Sequence, residues 1–266
     1  MNFTLAKHQK MSAILNSLNA NLFKENFIYF GGGSLLSLDF GEYRQSNDID
    51  FLCPVSSQGY INIRNLIFKN GCAALFEQLE NISIERTTSD RYGIRMGISI
   101  NEDIIKVEIV TEGNFVLDPP RSPSWCPVPC LSLNDSFTAK LLANSDRYLS
   151  NRVKSRDLID LSVLRLRSKI PDASIAKAKR IYFNVIDHLK AAIINFQDRP
   201  DYRSECYSKL EINPANISKI LDGLDLLAAD FGLDKIERTF KEQEDLFLLE
   251  TTPFQEAIRT RANRRS

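Results

Sequence analysis

The sequence has no net charge, because 34 lysine and arginine residues balance 34 aspartate and glutamate residues over its 266 positions. A protein that attracts nucleic acid through a global positive field is therefore excluded, and any such contact has to come from a local patch. The chain also has no apolar run near the roughly 20 residues that a membrane-spanning helix requires. We therefore expect no membrane association.

Histidine and cysteine are scarce as well, with two histidines and five scattered cysteines. Cys126 and Cys130 are close in sequence, but no second pair of Cys or His residues exists to complete a zinc site. His8 has no obvious partner in the sequence and is interpreted as solvated or capped. The first twenty residues do not resemble a secretory leader, so we expect free thiols in a reducing, cytoplasmic compartment.

The most informative stretch of the chain runs from Phe27 to Ser34. Its first residues are aromatic or β-branched and stop at three consecutive glycines, which is typical of a strand that enters a tight turn. A short helix is predicted directly after the glycines, from Ser34 to Leu38. Glycine lets backbone N–H groups approach an anion closely, and a helix N-terminus adds partial positive charge. The stretch predicts a phosphate-binding turn at Gly32, Gly33 and Ser34, without the ending of a P-loop or the spacing of a dinucleotide fingerprint.

A second motif, Asp48-Ile49-Asp50, follows after a spacer of thirteen residues, 35–47. Polar and apolar residues alternate there, and a period of two puts both carboxylates on one side of a strand. Two negative charges held together are costly unless a cation neutralises them, so the pair indicates bound Mg²⁺. Two cations about 3.5–4 Å apart could clamp the attacking and leaving oxygens of a nucleotidyl transfer. The alternative is a surface turn followed by acidic residues on an exposed strand.

The Gly-Ser pair, the spacer and the Asp-x-Asp motif together resemble the signature of the DNA polymerase β-like nucleotidyltransferase superfamily. The fuller string, which includes Tyr43-Arg44-Gln45-Ser46, resembles more narrowly the AbiEii/AbiGii toxin family. The resemblance implies a nucleotidyltransferase that uses an NTP and two Mg²⁺ ions, with Asp48 and Asp50 as catalytic metal ligands. It also implies Arg44 as a nucleotide-binding residue.

Residues 82–110 change to strand-like alternation and predict an antiparallel meander of three strands. Lys106 and Glu108 share one face of the last strand. The superfamily completes its metal site with a third carboxylate beside the Asp-x-Asp motif, so the resemblance implies Glu108 as a catalytic metal ligand. Glutamate is one methylene longer than the aspartate usual there, and reaching Mg²⁺ requires a shifted strand or an altered rotamer. The alternative is an ordinary cross-strand ion pair between Glu108 and an arginine.

The carboxyl-terminal half adds further family-like features. Lys140 on one predicted helix and the string Arg156-Asp157-x-x-Asp160 on the next resemble AbiEii residues that face the nucleotide. By this resemblance Lys140 binds the nucleotide and takes part in catalysis, while Asp157 orients Lys140 or contacts the nucleotide. The alternative is a pair of solvated helix faces with surface ion pairs, which contribute little. Residues 147–169 carry seven Arg or Lys residues against two Asp, which predicts either a patch for an RNA backbone or a charged helix face.

The predicted fold class is α/β (α+β). A polymerase β-like nucleotidyltransferase domain with a mixed sheet is expected over residues 1–130, followed by an α-helical bundle domain over residues 131–266. The Pro- and Ser-rich segment 113–132 is interpreted as the linker between them. The predicted helices include 3–24, 172–196 and 235–250, with a frayed tail beyond residue 259.

The implied function is transfer of NMP from an NTP to an acceptor hydroxyl, at a tRNA 3′ end or on a protein side chain. The biological role would be the toxin of a toxin–antitoxin or abortive-infection pair with a cognate antitoxin. Two alternatives stay open. A small-molecule nucleotidyltransferase of the aminoglycoside-modifying kind would need an acidic cleft, which the basic segment disfavours. A non-catalytic nucleotide- or partner-binding module would usually have a broken Asp-x-Asp motif, and here the motif is intact.

Overall fold

A computed structural model describes residues 2–243 of the chain, which form a mixed α/β fold with a five-stranded sheet. The strands lie side by side in the order first, second, fifth, fourth, third along the chain. The second and fifth strands are parallel, and all other neighbours are antiparallel, so the predicted mixed sheet and meander are confirmed. The strands are β1 (Tyr29–Gly31), β2 (Asp48–Pro54), β3 (Ile82–Ser89), β4 (Gly93–Ile100) and β5 (Asp103–Glu112).

The α-helices of the described part of the chain are α1 (Ala6–Ser17), α2 (Ala20–Glu25), α3 (Gly32–Asp39), α4 (Gly59–Asn70), α5 (Leu133–Arg147), α6 (Arg156–Arg165), α7 (Asp172–Lys179), α8 (Val185–Gln197), α9 (Pro200–Lys209) and α10 (Pro214–Asp230). Short 3-10 helices cover Cys72–Leu75 and Asn151–Val153. Among residues 2–243, no helix is both long enough and apolar enough to cross a membrane.

Alternation along β2 decides which of its side chains enter the core. Ile49, Phe51 and Cys53 are 0% exposed, while Asp48 and Asp50 on the other face are half-buried. Burying an apolar side chain of this size stabilises the fold by about 1.5–3 kcal/mol. A slip of one residue would place the carboxylates in the core, so the register of β2 is strongly specified.

Two predicted helices are each split in the structure. The helix predicted over 3–24 breaks at Leu18, which has an extended backbone and forms a bridge with Phe76. Asn19 then starts α2, because its side chain accepts the N–H of Leu22 at 2.8 Å. The helix predicted over 172–196 is likewise divided into α7 and α8. Helix α9 was not predicted, because polar residues dominate it, although a proline in the first turn is a typical start signal.

The Pro- and Ser-rich segment 113–132 packs along β1, and its interpretation as a linker is wrong. Phe30 donates its N–H to the carbonyl oxygen of Pro129 at 2.8 Å, and Leu131 donates to that of Phe30 at 2.8 Å. Trp125 packs edge-on against Phe30, with 6.5 Å between the ring centroids. Proline has no N–H to donate to a strand, so a segment with this composition pairs only through isolated bridges.

The chain forms two compact units, and each is described separately. Within the described residues, unit 1 comprises 2–143 and 170–185, and unit 2 comprises 144–169 and 186–243. The first division falls after Ala143, because the Pro-rich segment and most of α5 belong to unit 1. The predicted functional domain boundary after residue 130 stays a prediction. The helix predicted over 235–250 lies partly, and the tail beyond 259 entirely, outside the described residues.

Candidate active site

Three carboxylates lie on the parallel strands β2 and β5 of unit 1. Asp48 and Asp50 are two residues apart on β2, so both side chains leave the same face of the sheet. The register pairs Asp50 with Glu108 and Asp48 with Lys106. Because residues paired across neighbouring strands share a face, Glu108 lies beside Asp50.

The carboxyl group of Asp50 is half-buried and close to two other carboxylates. Its pKa is raised from 3.8 to about 6, first by burial and then by the negative charges of Asp48 and Glu108. Lys140 and Lys106 act in the opposite direction. Like charges crowded in this way are relieved by a bound cation, and carboxylate oxygens are the ligands that Mg²⁺ prefers. Asp48 and Asp50 therefore fit a divalent cation.

Glu108 points towards two basic side chains. Arg95 Nε donates to Glu108 Oε1 at 2.8 Å, and Lys106 Nζ lies 2.6 Å from Oε2. In the part of the chain that the structure describes, no three His, Cys, Asp or Glu side chains are grouped so that they could hold a metal ion. The ion pair with an arginine is therefore formed, and Glu108 has to leave Arg95 and Lys106 before it can bind a metal. Its role as a ligand stays a prediction.

Gly32 lies directly against Asp50. The helix α3 begins at this glycine, two residues earlier than predicted. Gly32 has a φ of +72°, and a Cβ atom at this position would lie 2.6 Å from Asp50 Oδ2. Only glycine combines this backbone conformation with so close an approach. The first turn of α3, which contains Gly32, Gly33 and Ser34, is thereby placed next to the acidic face of β2.

The side chain of Ser34 is used by the fold. It is 0% exposed, and its hydroxyl group donates to the carbonyl oxygen of Asp48 and lies 2.8 Å from Ser46 Oγ. These contacts tie the first turn of α3 to the start of β2. A phosphate at this turn could therefore reach the backbone N–H of Ser34 but not its hydroxyl group.

Arg44 is buried in the loop between α3 and β2. Its Nη1 donates to the carbonyl oxygen of Gln45 at 2.9 Å, and its guanidinium lies 5.9 Å from the ring centroid of Tyr43. The hydroxyl group of Ser37 donates to the carbonyl oxygen of Arg44. These contacts hold the loop in shape, and the nucleotide contact of Arg44 stays a prediction.

Lys140 belongs to the same unit as the carboxylates. It lies on α5 and is 7% exposed, so the alternative of a solvated surface ion pair does not apply to it. The start of α5 is fixed by Ser132, whose side chain accepts the N–H of Asp135, and by Lys177, which lies 2.7 Å from Asp135 Oδ1. Lys140 is thus held on a rigid element, close enough to Asp50 to lower its pKa.

His8 has two hydrogen-bond partners that no pattern in the sequence indicates. This histidine is 0% exposed; its Nδ1 lies 2.9 Å from Glu42 Oε1, and its Nε2 accepts the N–H of Ser46 at 3.1 Å. The interpretation of His8 as a solvated residue is therefore wrong. The nearest sequence signal is the glycine at position 41, which adopts a φ of +82° just before Glu42. No periodic pattern connects position 42 with position 8.

The family model described as "Nucleotidyl transferase AbiEii toxin, Type IV TA system" matches residues 13–258 of the chain. The chain belongs to the AbiEii family. It is therefore a nucleotidyltransferase, and its mixed sheet is that of the polymerase β-like nucleotidyltransferase fold. No curated protein matches the chain.

Two solved structures are similar to this AbiEii chain. A candidate nucleotidyltransferase from H. pylori is 16% identical with a TM-score of 0.50, and the match covers 87% of this chain and 97% of that one. The protein JHP933 from Helicobacter pylori is 14% identical with a TM-score of 0.49, and the match covers 96% of this chain and 100% of that one. At such identities, the first likeness shows the fold alone.

In unit 2 of the AbiEii chain, Asp157 forms a two-point ion pair with Arg147. Arg147 Nε and Nη2 donate to its carboxylate at 2.6 and 2.9 Å, and Asp157 is 2% exposed. The pair raises the pKa of Arg147, chiefly through the hydrogen bond. Asp157 therefore holds the guanidinium of Arg147, and its two predicted roles, orientation of Lys140 or contact with the nucleotide, stay predictions.

The basic segment 147–169 is partly compensated by acidic partners. Besides Arg147, Lys154 lies 2.7 Å from Glu205, and Arg165 lies 2.5 Å from Asp230. Glu205 and Asp230 therefore reduce the excess of positive charge that the sequence of segment 147–169 shows.

Proposed function

We propose that this AbiEii protein transfers a nucleoside monophosphate from an NTP to a hydroxyl group of an acceptor, with Mg²⁺ as cofactor. The observation that supports this best is the register of β2 and β5, which aligns Asp50 with Glu108 and keeps Asp48 on the same face. The same face meets the first turn of α3 at Gly32. Metal-binding carboxylates and anion-binding N–H groups are thus adjacent, as a triphosphate substrate requires.

The first turn of α3 is the proposed binding site of the triphosphate. The first N–H groups of a helix have no intrahelical acceptor and carry partial positive charge. At Gly32, Gly33 and Ser34 these donors lie beside the acidic face, and the absence of a Cβ at Gly32 keeps the approach to Asp50 open. The turn therefore binds phosphate oxygens through the backbone.

Asp48 and Asp50 would hold Mg²⁺, and Glu108 would join them after leaving Arg95 and Lys106. Such a cation offsets the negative charge of the phosphates and favours deprotonation of the attacking hydroxyl group. Glu108 already shares a face of the sheet with Asp50, so a change of its side-chain rotamer would turn its carboxylate from Arg95 and Lys106 towards Asp50 without moving the backbone. In this proposal strands β2 and β5 would carry the three carboxylates on the face of the sheet where the NTP binds.

Lys140 stabilises the leaving group in this proposal. The acceptor oxygen forms a bond to the α-phosphorus while the bond from that phosphorus to pyrophosphate breaks. Negative charge grows on the pyrophosphate in this step, and a fixed ammonium group interacts with it more strongly than with the bound substrate. Burial of Lys140 strengthens the interaction, because less water screens the charge.

The family description places AbiEii proteins in type IV toxin–antitoxin systems. We extend that role to this chain as the toxin, with a cognate antitoxin as its partner. The acceptor is either a tRNA 3′ end or a hydroxyl group on a protein. The ion pairs of segment 147–169 weaken the case for an RNA backbone patch, so both acceptors belong in the test.

The test is to incubate the protein with each α-labelled NTP, Mg²⁺ and either total RNA or total protein from cells. We expect label in one macromolecular fraction, lost in EDTA and in Asp48→Asn. Label in a small molecule instead would indicate the aminoglycoside-modifying type of enzyme. Transfer that is equal in the wild type and in Asp48→Asn, or absent from both, would reject the proposed reaction.

A further inference from the structure

A buried chain of hydrogen bonds links α1 to the start of β2. His8 Nε2 accepts the N–H of Ser46 at 3.1 Å, and Ser46 Oγ lies 2.8 Å from Ser34 Oγ. The hydroxyl group of Ser34 donates to the carbonyl oxygen of Asp48. His8 and Ser34 are 0% exposed and Ser46 is 4% exposed. Because water cannot replace a lost partner at these depths, each bond is costly to break.

The two contacts of His8 define its tautomer. Nε2 accepts an N–H and therefore carries no proton, so the proton is on Nδ1, which donates to Glu42 at 2.9 Å. Burial lowers the pKa of His8 below 6.5; Glu42 opposes the change and Arg44 adds to it. His8 is thus neutral at pH 7, and both ring nitrogens are used.

Glu42 anchors the other end of the chain of bonds. It accepts the N–H of Thr4 at 2.7 Å, the hydroxyl group of Thr4 at 2.6 Å and the N–H of Leu5 at 3.0 Å. Leu5 is the N-cap of α1 and makes no capping bond with its own side chain. Glu42 therefore caps α1 from the loop that precedes β2, and a carboxylate at that end of a helix is stabilising. Helix α1 and the loop 40–47 are held together as one piece.

We propose that His8 is a positioning residue for nucleotidyl transfer, which acts through Ser46 and Ser34 to set the position of Asp48 relative to the first turn of α3. This inference rests on the proposed function, in which Asp48 holds the cofactor and the turn holds the phosphates. His8 does not touch the substrate. A displacement of about 1 Å between two such elements is enough to lower a rate about a hundredfold.

The test uses two substitutions of His8. His8→Phe keeps a planar ring and removes both hydrogen bonds, whereas His8→Gln keeps one donor and one acceptor. We expect kcat to fall about tenfold or more in His8→Phe while the KM for the NTP stays within about twofold, and His8→Gln to recover most of the rate. Ile14→Ala is the matched control, because Ile14 is 0% exposed on the same helix and makes no polar contact through its side chain. It should lower the melting temperature without lowering kcat.

A double-mutant cycle tests whether the residues act in series. Ser34→Ala interrupts the chain of hydrogen bonds beyond His8. If the two residues act in series, the kcat of the double variant His8→Phe/Ser34→Ala should equal that of the less active single variant. Ser46→Ala, which keeps the backbone N–H to His8, offers the same test if His8→Phe does not fold. Additive losses would overturn the proposal, as would a kcat of His8→Phe equal to that of Ile14→Ala.

Asp48→Asn separates this inference from the proposed function. If the wild type transfers nucleotide and Asp48→Asn does not, an unchanged kcat in His8→Phe rejects the positioning role alone. If the wild type transfers nothing, the proposed function fails and the positioning role fails with it.

Discussion

Asp50 of β2 and Glu108 of β5 are paired neighbours on parallel strands, yet their carboxylates are in opposite electrostatic situations. Asp50 has a raised pKa of about 6, chiefly because of burial, whereas Glu108 is bonded to Arg95 and Lys106. Two like charges in register are thus tolerated because one of them is compensated from the adjacent strand β4. If Asp50 binds a metal ion as proposed, that ion would compete with Arg95 for Glu108.

That competition can be measured. Replacing Arg95 with methionine removes one of the two basic partners of Glu108 and keeps the stem of the side chain. Mn²⁺, used as a probe for Mg²⁺, should therefore bind several-fold more tightly. The measurement is calorimetric titration of the protein with Mn²⁺. In the double variant Arg95→Met/Glu108→Gln the gain should disappear. Equal Mn²⁺ affinity in the wild type and in Arg95→Met would show that Arg95 does not compete with the metal ion for Glu108.

Asp50→Asn should abolish transfer and stabilise the protein in EDTA. The pKa of Asp50 is about 6 instead of 3.8, and this difference corresponds to at most about 3 kcal/mol of destabilisation at neutral pH. Asp50 is half-buried, so the measured gain in the free energy of unfolding should be smaller, about 1–2 kcal/mol. Urea unfolding in EDTA and a transfer assay check the two parts. A destabilised or fully active variant would contradict the crowded metal site.

Lys140→Met should lower the turnover number about a hundredfold or more, which is typical of a lost electrostatic stabiliser. The affinity for the NTP should change far less, because the charge on the pyrophosphate grows during the reaction. Methionine keeps most of the buried stem, and Lys140→Arg should restore part of the rate. Single-turnover rates and nucleotide affinity are measured separately. Equal losses in affinity and rate would mean that Lys140 only binds the substrate.

The stability of the wild type should decrease relative to that of His8→Gln when the pH is lowered through 6.5. Burial lowers the pKa of folded His8 below this value, so in that range the unfolded chain binds more protons and acid favours unfolding. The comparison between the two proteins cancels the contribution of Asp50, whose raised pKa has the opposite sign. Urea unfolding from about pH 7.5 to about 5.5 gives the two profiles. A constant difference between them would contradict a buried neutral histidine.

Unit 2 contains a buried ion pair between Arg203 and Glu242, whose side chains are 1% and 6% exposed. Tyr207 also donates its hydroxyl group to Glu242 at 3.0 Å. Arg203→Met should therefore lower the free energy of unfolding by about 3–5 kcal/mol, because it leaves a buried carboxylate without a positively charged partner. Glu205→Gln, which breaks the exposed pair with Lys154, should leave the unfolding midpoint unchanged. Similar losses in both variants would mean that burial is not the cause.

The sheet was predictable because its signal is local. Alternation with a period of two shows which residues of β2 and β5 face the core, and therefore that Asp48 and Asp50 share the other face. The break after α1 was not predictable, because it depends on a bridge between Leu18 and Phe76, far apart in the sequence. Segment 113–132 was misinterpreted for the same reason, since composition does not reveal its bonds to β1.

In the candidate site, too, the side-chain contacts between positions distant in the sequence could not be predicted. The strand that carries Glu108 could be predicted, but not the direction of its carboxylate, which depends on Arg95 standing opposite it in the register of β4 and β5. The contacts of His8 with Glu42 and Ser46 join positions 34 and 38 residues apart. Periodicity within one element carries no information about such pairs.

The division of the chain has a consequence for its synthesis on the ribosome. Unit 1 is closed by residues 170–185, which follow the first segment of unit 2. Lys177 of this late segment carries the ion pairs to Asp118 and Asp135 that hold the start of α5. Translation proceeds at about 5–20 residues per second, so residues 170–185 are complete roughly 2–8 s after Ala143 is added. During this time the sheet and the first part of α5 lack that segment. A nascent chain that stalls after Ala143 and before residue 170 therefore contains Asp48 and Asp50 but lacks Lys177, which fixes the helix that carries Lys140.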